Sequence, residues 1–373
     1  MAKLPRKFGD YYLLKKIATG GMAEVFLAQA RSTDGPDKYV ALKLIHPRYQ
    51  ENENFHHMIV EEAKIALQLT HKNIGQIFDL GHQEKTYFIV MEYIDGYDLS
   101  RILHASSQSS ETFPLEMVAY IGREICAALS YAHKKRDRVG NPLQLIHRDV
   151  SPQNLLIDFS GSCKLIDFGI AKVSTRMQQT QAGVIKGNFY YMSPEQAGAD
   201  KVDQRSDLFS LGICLWEALA GRSLFRRDGG PNNPLAILHE IRTMVIPRIE
   251  TVRLDCPPQL ARLIHRALTR ELSDRFQSAS EMQASFNRAL LEMNPHFTKA
   301  NAVMFMQQLY GKSESTKEIV PAAPISVDLM TRANFAPGDE SVIFDPNAIP
   351  QDHGSSISFP SQAAARSERV ERS

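Results

Sequence analysis

At 373 residues, 43% hydrophobic and 23% charged, the chain is long enough for a large core and has the composition of a soluble globular protein. A formal net charge of +1 argues against nucleic acid or an anionic membrane as its main partner. The four cysteines, Cys126, Cys163, Cys214 and Cys256, form no CxxC pair, which argues against zinc or a disulfide framework and for reduced thiols in a cytoplasmic protein.

Met1 to Gly9 is basic but has no apolar run behind it, so no signal peptide is expected. From Tyr11 to Tyr93 the pattern predicts strands around one long helix. Ile17-Ala18-Thr19-Gly20-Gly21-Met22-Ala23-Glu24-Val25 is a glycine-containing turn that, taken alone, reads as a plain β-hairpin. Tyr39 to Ile45 alternates as a half-buried strand and sets Lys43 on its inward face, where an ammonium needs a partner unless the strand lies at an edge. Phe55, Ile59, Ala66 and Leu69 recur at helical spacing, with Glu62 on the same apolar face. Burying that carboxylate alone is costly, so it requires a cation, or solvent if the stripe is displaced by one position. Thr86 to Tyr93 is a second β-rich run that ends in a turn at Gly96.

Beyond Asp98 the chain becomes helical. Val118, Ile121, Ile125, Ala128, Leu129 and Ala132 form one stripe, opened by Pro114 at a first-turn position. Then come Ile146-His147-Arg148-Asp149-Val150-Ser151-Pro152-Gln153-Asn154, Asp167-Phe168-Gly169, and Gly187-Asn188-Phe189-Tyr190-Tyr191-Met192-Ser193-Pro194-Glu195. Leu208 to Leu219 is apolar on nearly every face, which predicts a helix at the centre of a lobe. The apolar run to Ala220 is too short to span a bilayer and contains Glu217. Ser278-Ala279-Ser280-Glu281 is a capping box for a helix running to about Met293. Lys299 to Leu309 reads as a further amphipathic helix with Ala302, Met306 and Leu309 on one side. From Gly311 to Ser373 no periodicity is sustained, which predicts a disordered tail.

In their order and spacing these pieces resemble the protein kinase superfamily, and within it the bacterial eukaryotic-like serine/threonine kinases. The resemblance implies an α+β, two-lobed kinase domain at residues 8–293, with a β-rich small lobe at 8–93 and a mainly helical large lobe at 94–293. An appended helix at 294–310 and the tail at 311–373 follow. It implies a cytoplasmic enzyme that transfers the γ-phosphoryl group of Mg-ATP to protein hydroxyls, with no membrane span. A homodimer through the small lobe is a further family trait. Lys43 would bridge the ATP phosphates and Glu62. Asp149 would orient the substrate hydroxyl, and Asn154 and Asp167 would hold Mg²⁺. Ile17, Ala18, Gly20, Val25, Ala41, Met91, Glu92, Ile94 and Leu156 would surround the nucleotide, with Met91 as gatekeeper and the backbone of Glu92 and Ile94 on adenine. Arg148 beside Asp149 implies activation by phosphorylation at Thr175, Thr180 or Ser174. Glu195 would pair with Arg275, and Asp207 would hold the backbone around His147.

The sequence also departs from the family pattern. Ala18 and Ala23 replace the outer glycines of the phosphate loop, and Ser193 replaces an alanine. Ser151 stands where a lysine normally faces the transferred phosphate, and Asn188 replaces its companion threonine. Losing a cation near that phosphate would cost several kcal/mol of transition-state stabilisation, unless Lys186 supplies the charge. One group of bacterial kinases shares the Val-Ser-Pro-Gln-Asn loop, the alanine-bearing glycine loop and an insert like Arg138 to Leu143, and Pro152 resembles serine/threonine kinases. If the serine merely lacks charge, Ser151→Lys retains or raises activity. The alternative function is a pseudokinase that holds nucleotide and acts as a scaffold.

Overall fold

Strand-forming alternation in the first hundred residues produces one antiparallel sheet. The computed structural model describes residues 4–30, 38–46, 53–83, 86–108, 112–168, 189–225 and 234–311, without the side chains of 53–58 and 62. Strands β1 (Arg6–Phe8), β2 (Tyr11–Thr19), β3 (Ala23–Ala30) and β4 (Lys38–Ile45) lead to helix α1 (Glu53–Ala66), β5 (Ile77–Gln83) and β6 (Thr86–Glu92). The sheet order is β1-β2-β3-β4-β6-β5, and each pair is antiparallel. β4 is bonded on both sides, and apart from half-buried Lys43 it is buried from Val40 to Ile45, because apolar side chains pack on both of its faces. Its period of two still sorts the side chains. Val40, Leu42 and Leu44 join Phe8, Phe26 and Phe88 in one apolar layer, whereas Ala41 packs with Ile89 and Met91 on the other face. Lys43, two residues from Ala41, shares that second face.

On α1, Ile59, Ala63 and Ala66 are buried, and Leu69 is buried past the helix end. The side chains of Phe55 and Glu62 lie outside the described residues.

The second lobe starts at β7 (Gly96–Asp98), which pairs with β8 (Leu155–Asp158), itself paired with β9 (Cys163–Leu165). Helices α2 (Leu99–Gln108) and α3 (Leu115–His133) precede β8. Helices α4 (Pro194–Ala197), α5 (Gln204–Ala220), α6 (Pro234–Thr243), α7 (Ile249–Val252), α8 (Pro258–Ala267), α9 (Ala279–Met293) and α10 (Lys299–Tyr310) follow β9. Pro114 is the N-cap of α3, with extended backbone, rather than a first-turn residue. α5 is capped by Asp203 and buried from Ser206 to Leu219, as its all-round hydrophobicity predicted. At α9 the expected capping box is half formed. Ser278 accepts from the Glu281 N–H, but the Glu281 carboxylate takes the N–H of Gln277 at 2.9 Å and pairs with Arg266.

The core of this lobe runs through α3, α5, α8 and α9, and α10 contributes Ala302 and Met306, both fully buried. The described residues all belong to one compact unit. The tail expected after Tyr310 lies, apart from Gly311, outside the described residues.

Candidate active site

Between the inner face of the large sheet and the β7-β8-β9 sheet lies a cavity of about 480 Å³. Ile17, Ala18, Val25, Ala41 and Lys43 line it from above, Met91, Glu92 and Ile94 from the chain joining the lobes, and Leu156 and Asp167 from below. Gly20 is absent from this wall. It closes the β2–β3 turn, where its N–H donates to Ala23 O at 2.8 Å and its carbonyl lies 3.2 Å from His46 Nε2.

The expected partner of Lys43 was Glu62, whose side chain lies outside the described residues. Among those described, Lys43 Nζ pairs with Asp167 Oδ1 at 2.9 Å. Asp167 has a left-handed backbone with φ 63°, a cost that surrounding contacts must hold in place. Phe168, next in the chain, is buried edge-on against His147 at 4.5 Å.

His147 organises the loop below. Its Nδ1 accepts from the Asp149 N–H at 3.2 Å, so the proton sits on Nε2, which donates to Ile166 O at 2.9 Å. Asn154 Nδ2 donates both to Asp149 O (2.8 Å) and to Asp149 Oδ2 (3.0 Å), and its own carbonyl accepts from Ile166 N. Asp149, Asn154 and Asp167 are thereby brought together and oriented. Burial pushes the Asp149 carboxyl above its ordinary range, with His147 and the Asn154 hydrogen bond opposing and Asp167 adding to the rise.

Asp207, on α5, holds the loop from behind. Its Oδ2 accepts from His147 N at 2.9 Å and from His133 Nε2 at 2.7 Å, and its Oδ1 accepts from Arg148 N at 2.8 Å. Burial alone would raise this carboxyl, but the hydrogen bond and charge of His133, with His147 and the loop N–H groups, keep it below the usual range. Arg148 has φ 68°, a strained conformation for a non-glycine residue, and its buried Nε finds no partner among the described residues. Ser174, Thr175 and Thr180, proposed to supply a phosphate to it, lie outside the described residues, as do Lys186 and Asn188. Ser151 is buried at 1% exposure, and its carbonyl accepts from Asn154 N.

Glu195 and Arg275 meet as expected, in a bidentate pair at 2.8 and 3.2 Å, with Ser206 Oγ adding a bond to the carboxylate at 2.6 Å. Burial pushes Glu195 up, but the bonds from Arg275 and Ser206 outweigh it and hold the carboxyl below the usual glutamate range.

Sequence reasoning missed several contributors. Gln196 Nε2 donates to Arg148 O at 3.0 Å and its Oε1 accepts from Ser193 N, which ties α4 to the Asp149 loop. The Glu92 carboxylate accepts from Lys164 Nζ at 3.0 Å and from Gln76 N at 3.2 Å. Tyr97 and Phe159 also line the cavity. The signal for Tyr97 was the glycine before it. A Cβ at Gly96 would stand 2.1 Å from Ile157 O, so β7 lies too close to β8 for any side chain there.

The donor set suits a magnesium ion. With its amide nitrogen committed to Asp149, Asn154 offers Oδ1, and Asp167 engages Lys43 through Oδ1, leaving Oδ2. Among the described residues no group of three or more His, Cys, Asp or Glu could cage a metal alone. A pair of protein oxygens that needs phosphate and water to complete an octahedron is the pattern Mg²⁺ favours.

The sequence matches the protein kinase domain family over residues 11–294. It is 35% identical over 320 residues to the tyrosine-protein kinase MasK of Myxococcus xanthus (strain DK1622), covering 85% of this chain and 48% of that one. It is 32% identical over 282 residues to the serine/threonine-protein kinase PrkC of Bacillus subtilis (strain 168), covering 75% and 40% respectively. The chain therefore spans less than half the length of these two relatives. The crystal structure of the Mycobacterium tuberculosis PknI kinase domain superposes with a TM-score of 0.56 at 26% identity, covering 77% of this chain and 99% of that one.

Proposed function

This chain belongs to the protein kinase family, and from that premise we propose that it transfers the γ-phosphoryl group of Mg·ATP to serine and threonine hydroxyls of proteins. The observation that carries the reading is that the Lys43–Asp167 pair, which lines the interlobe cavity, acts electrostatically on Asp149, itself hydrogen-bonded to Asn154. The purine lies between Val25 and Ala41 above and Leu156 below, with the backbone of Glu92 and Ile94 on its polar edge. Lys43 draws in the phosphates. Asp149, fixed by Asn154, accepts a hydrogen bond from the acceptor hydroxyl and points its oxygen along the line of attack. Mg²⁺ held by Asn154 and Asp167 would neutralise charge developing on the transferred group. The kinase domain spans 8–293, works in the cytoplasm, phosphorylates itself among Ser174, Thr175 and Thr180, and pairs through its small lobe. Among the described residues no helix is long and apolar enough to cross a membrane.

A second acceptor class has its own support, because the relative MasK is named a tyrosine-protein kinase. Pro152 and the relative PrkC favour serine and threonine. Incubation with Mg²⁺ and γ-labelled ATP, alone and with a basic protein substrate, tests both points. Label on phosphoserine or phosphothreonine, lost in Lys43→Met and Asp149→Asn, is the expected result. Label on phosphotyrosine alone would reassign the acceptor. Label no higher than in those two variants, with any divalent metal, would leave a nucleotide-holding scaffold instead.

A further inference from the structure

The cavity wall below the junction of the lobes includes two aromatic side chains, Tyr97 on β7 and Phe159 in the β8–β9 turn. Their rings meet edge to face at 5.9 Å. A third ring backs them from outside the cavity. Tyr310, the last residue of α10, stacks on Tyr97 with centroids 4.1 Å apart and planes inclined by 29°, and it lies edge-on to Phe159 at 6.5 Å. The family match ends at residue 294, ahead of this helix.

α10 is anchored where it would have to be for Tyr310 to act on the cavity. Ala302 and Met306 are fully buried, and Phe305 packs edge-on against Phe113 at 5.2 Å. At its other end the helix presses on the β8–β9 turn. A Cβ on Gly161 would stand 2.6 Å from Lys299 O and 3.1 Å from Val303, and Tyr120 Oη donates to Gly161 O at 2.9 Å. One end of α10 thus rests on the β8–β9 turn and the other on β7. Those strands carry Leu156 and lead into Asp167.

From this arrangement we infer that α10 belongs to the scaffold of the nucleotide site, and that Tyr310 is a positioning residue that holds Tyr97 as its outer wall. The inference rests on the proposed nucleotide site. β7 is three residues long and paired on one side only, so its own hydrogen bonds do little to fix the Tyr97 ring. A stacked partner of this geometry shifts the ring's rotamer population about two- to tenfold. The Tyr310 hydroxyl is buried without a hydrogen-bond partner among the described residues. Burial, then Tyr97 and Asp98, push it up to about 12, so the ring stays neutral in any ordinary buffer. The ring carries the effect and the hydroxyl does not.

The test uses the full chain, with Mg·ADP affinity measured by calorimetry and the KM for ATP and kcat measured separately. Tyr310→Ala is expected to raise both Kd and KM about three- to tenfold while kcat stays within about twofold. Tyr310→Phe should match wild type, and so should Met304→Ala, an exposed site on the same helix. If Tyr310→Ala does not fold, as judged by circular dichroism, Tyr310→Leu keeps the apolar bulk without the stack and carries the same expectation. Unchanged nucleotide affinity in a folded ring-less variant would overturn the inference, as would a Phe variant as weak as the Ala variant. So would an equal loss in Met304→Ala. Wild type that binds no nucleotide would instead remove the reading on which the inference rests, so the two failures are distinguishable.

Discussion

Ser151 is the residue at which general expectation and local packing diverge most. A lysine at this point would bring charge to the transferred phosphate, and its absence looked like a simple deficit. The serine is 1% exposed, and its carbonyl receives the N–H of Asn154, one of the two proposed metal ligands. A lysine would have to bury its stem and charge there, which costs several kcal/mol unless a carboxylate meets it. Ser151→Lys is therefore expected to lower the phosphoryl-transfer rate at least tenfold, with a fall in melting temperature, while Ser151→Ala stays within about threefold. Initial rates on a common protein substrate measure both. A faster Lys variant would return the argument to missing charge.

At the scale of elements, the turn joining β8 to β9 carries more than its length suggests. Asp158 gathers it, accepting through Oδ1 from Ser162 N at 2.7 Å and from Ser160 Oγ at 2.6 Å, and Gly161 adopts φ 80°. Gly161→Ala incurs a left-handed backbone penalty and a clash with α10. Gly140, with φ 94° and nothing within 4 Å of where a Cβ would stand, incurs the first alone. Denaturant unfolding is expected to cost Gly140→Ala about 1 kcal/mol and Gly161→Ala about 2–3 kcal/mol. Equal losses would mean that the helix yields freely to the turn.

Across the molecule, stability in acid depends on buried carboxylates that remain ionised. Glu195 is held below the ordinary glutamate range in the folded chain, so its contribution is complete above the unfolded value and is lost as pH falls through the folded one. Removing Arg275, which is fully buried, leaves that carboxylate without its cation. Arg275→Met is expected to cost about 3–5 kcal/mol near neutral pH. Glu195 then titrates higher in the folded state than in the unfolded one, so the loss of stability on going from pH 6 to pH 4 becomes shallower than in wild type. Urea unfolding at those two pH values gives both numbers.

Much of this protein was legible in local pattern. Period two identified the strands, and the all-round hydrophobicity of Leu208 to Leu219 identified the central helix. The spacing of His147, Arg148, Asp149, Asn154 and Asp167 marked the candidate site, because a short loop and a hairpin return bring those residues together whatever else the chain does. What spacing does not encode is which distant groups share a solvent-excluded volume. That Lys43 faces Asp167, that Gln196 braces Arg148, and that Tyr310 backs Tyr97 more than two hundred residues earlier were decided by packing. A helix period fixes which side of α10 is apolar, but only the close approach at Gly161 fixes where that side rests.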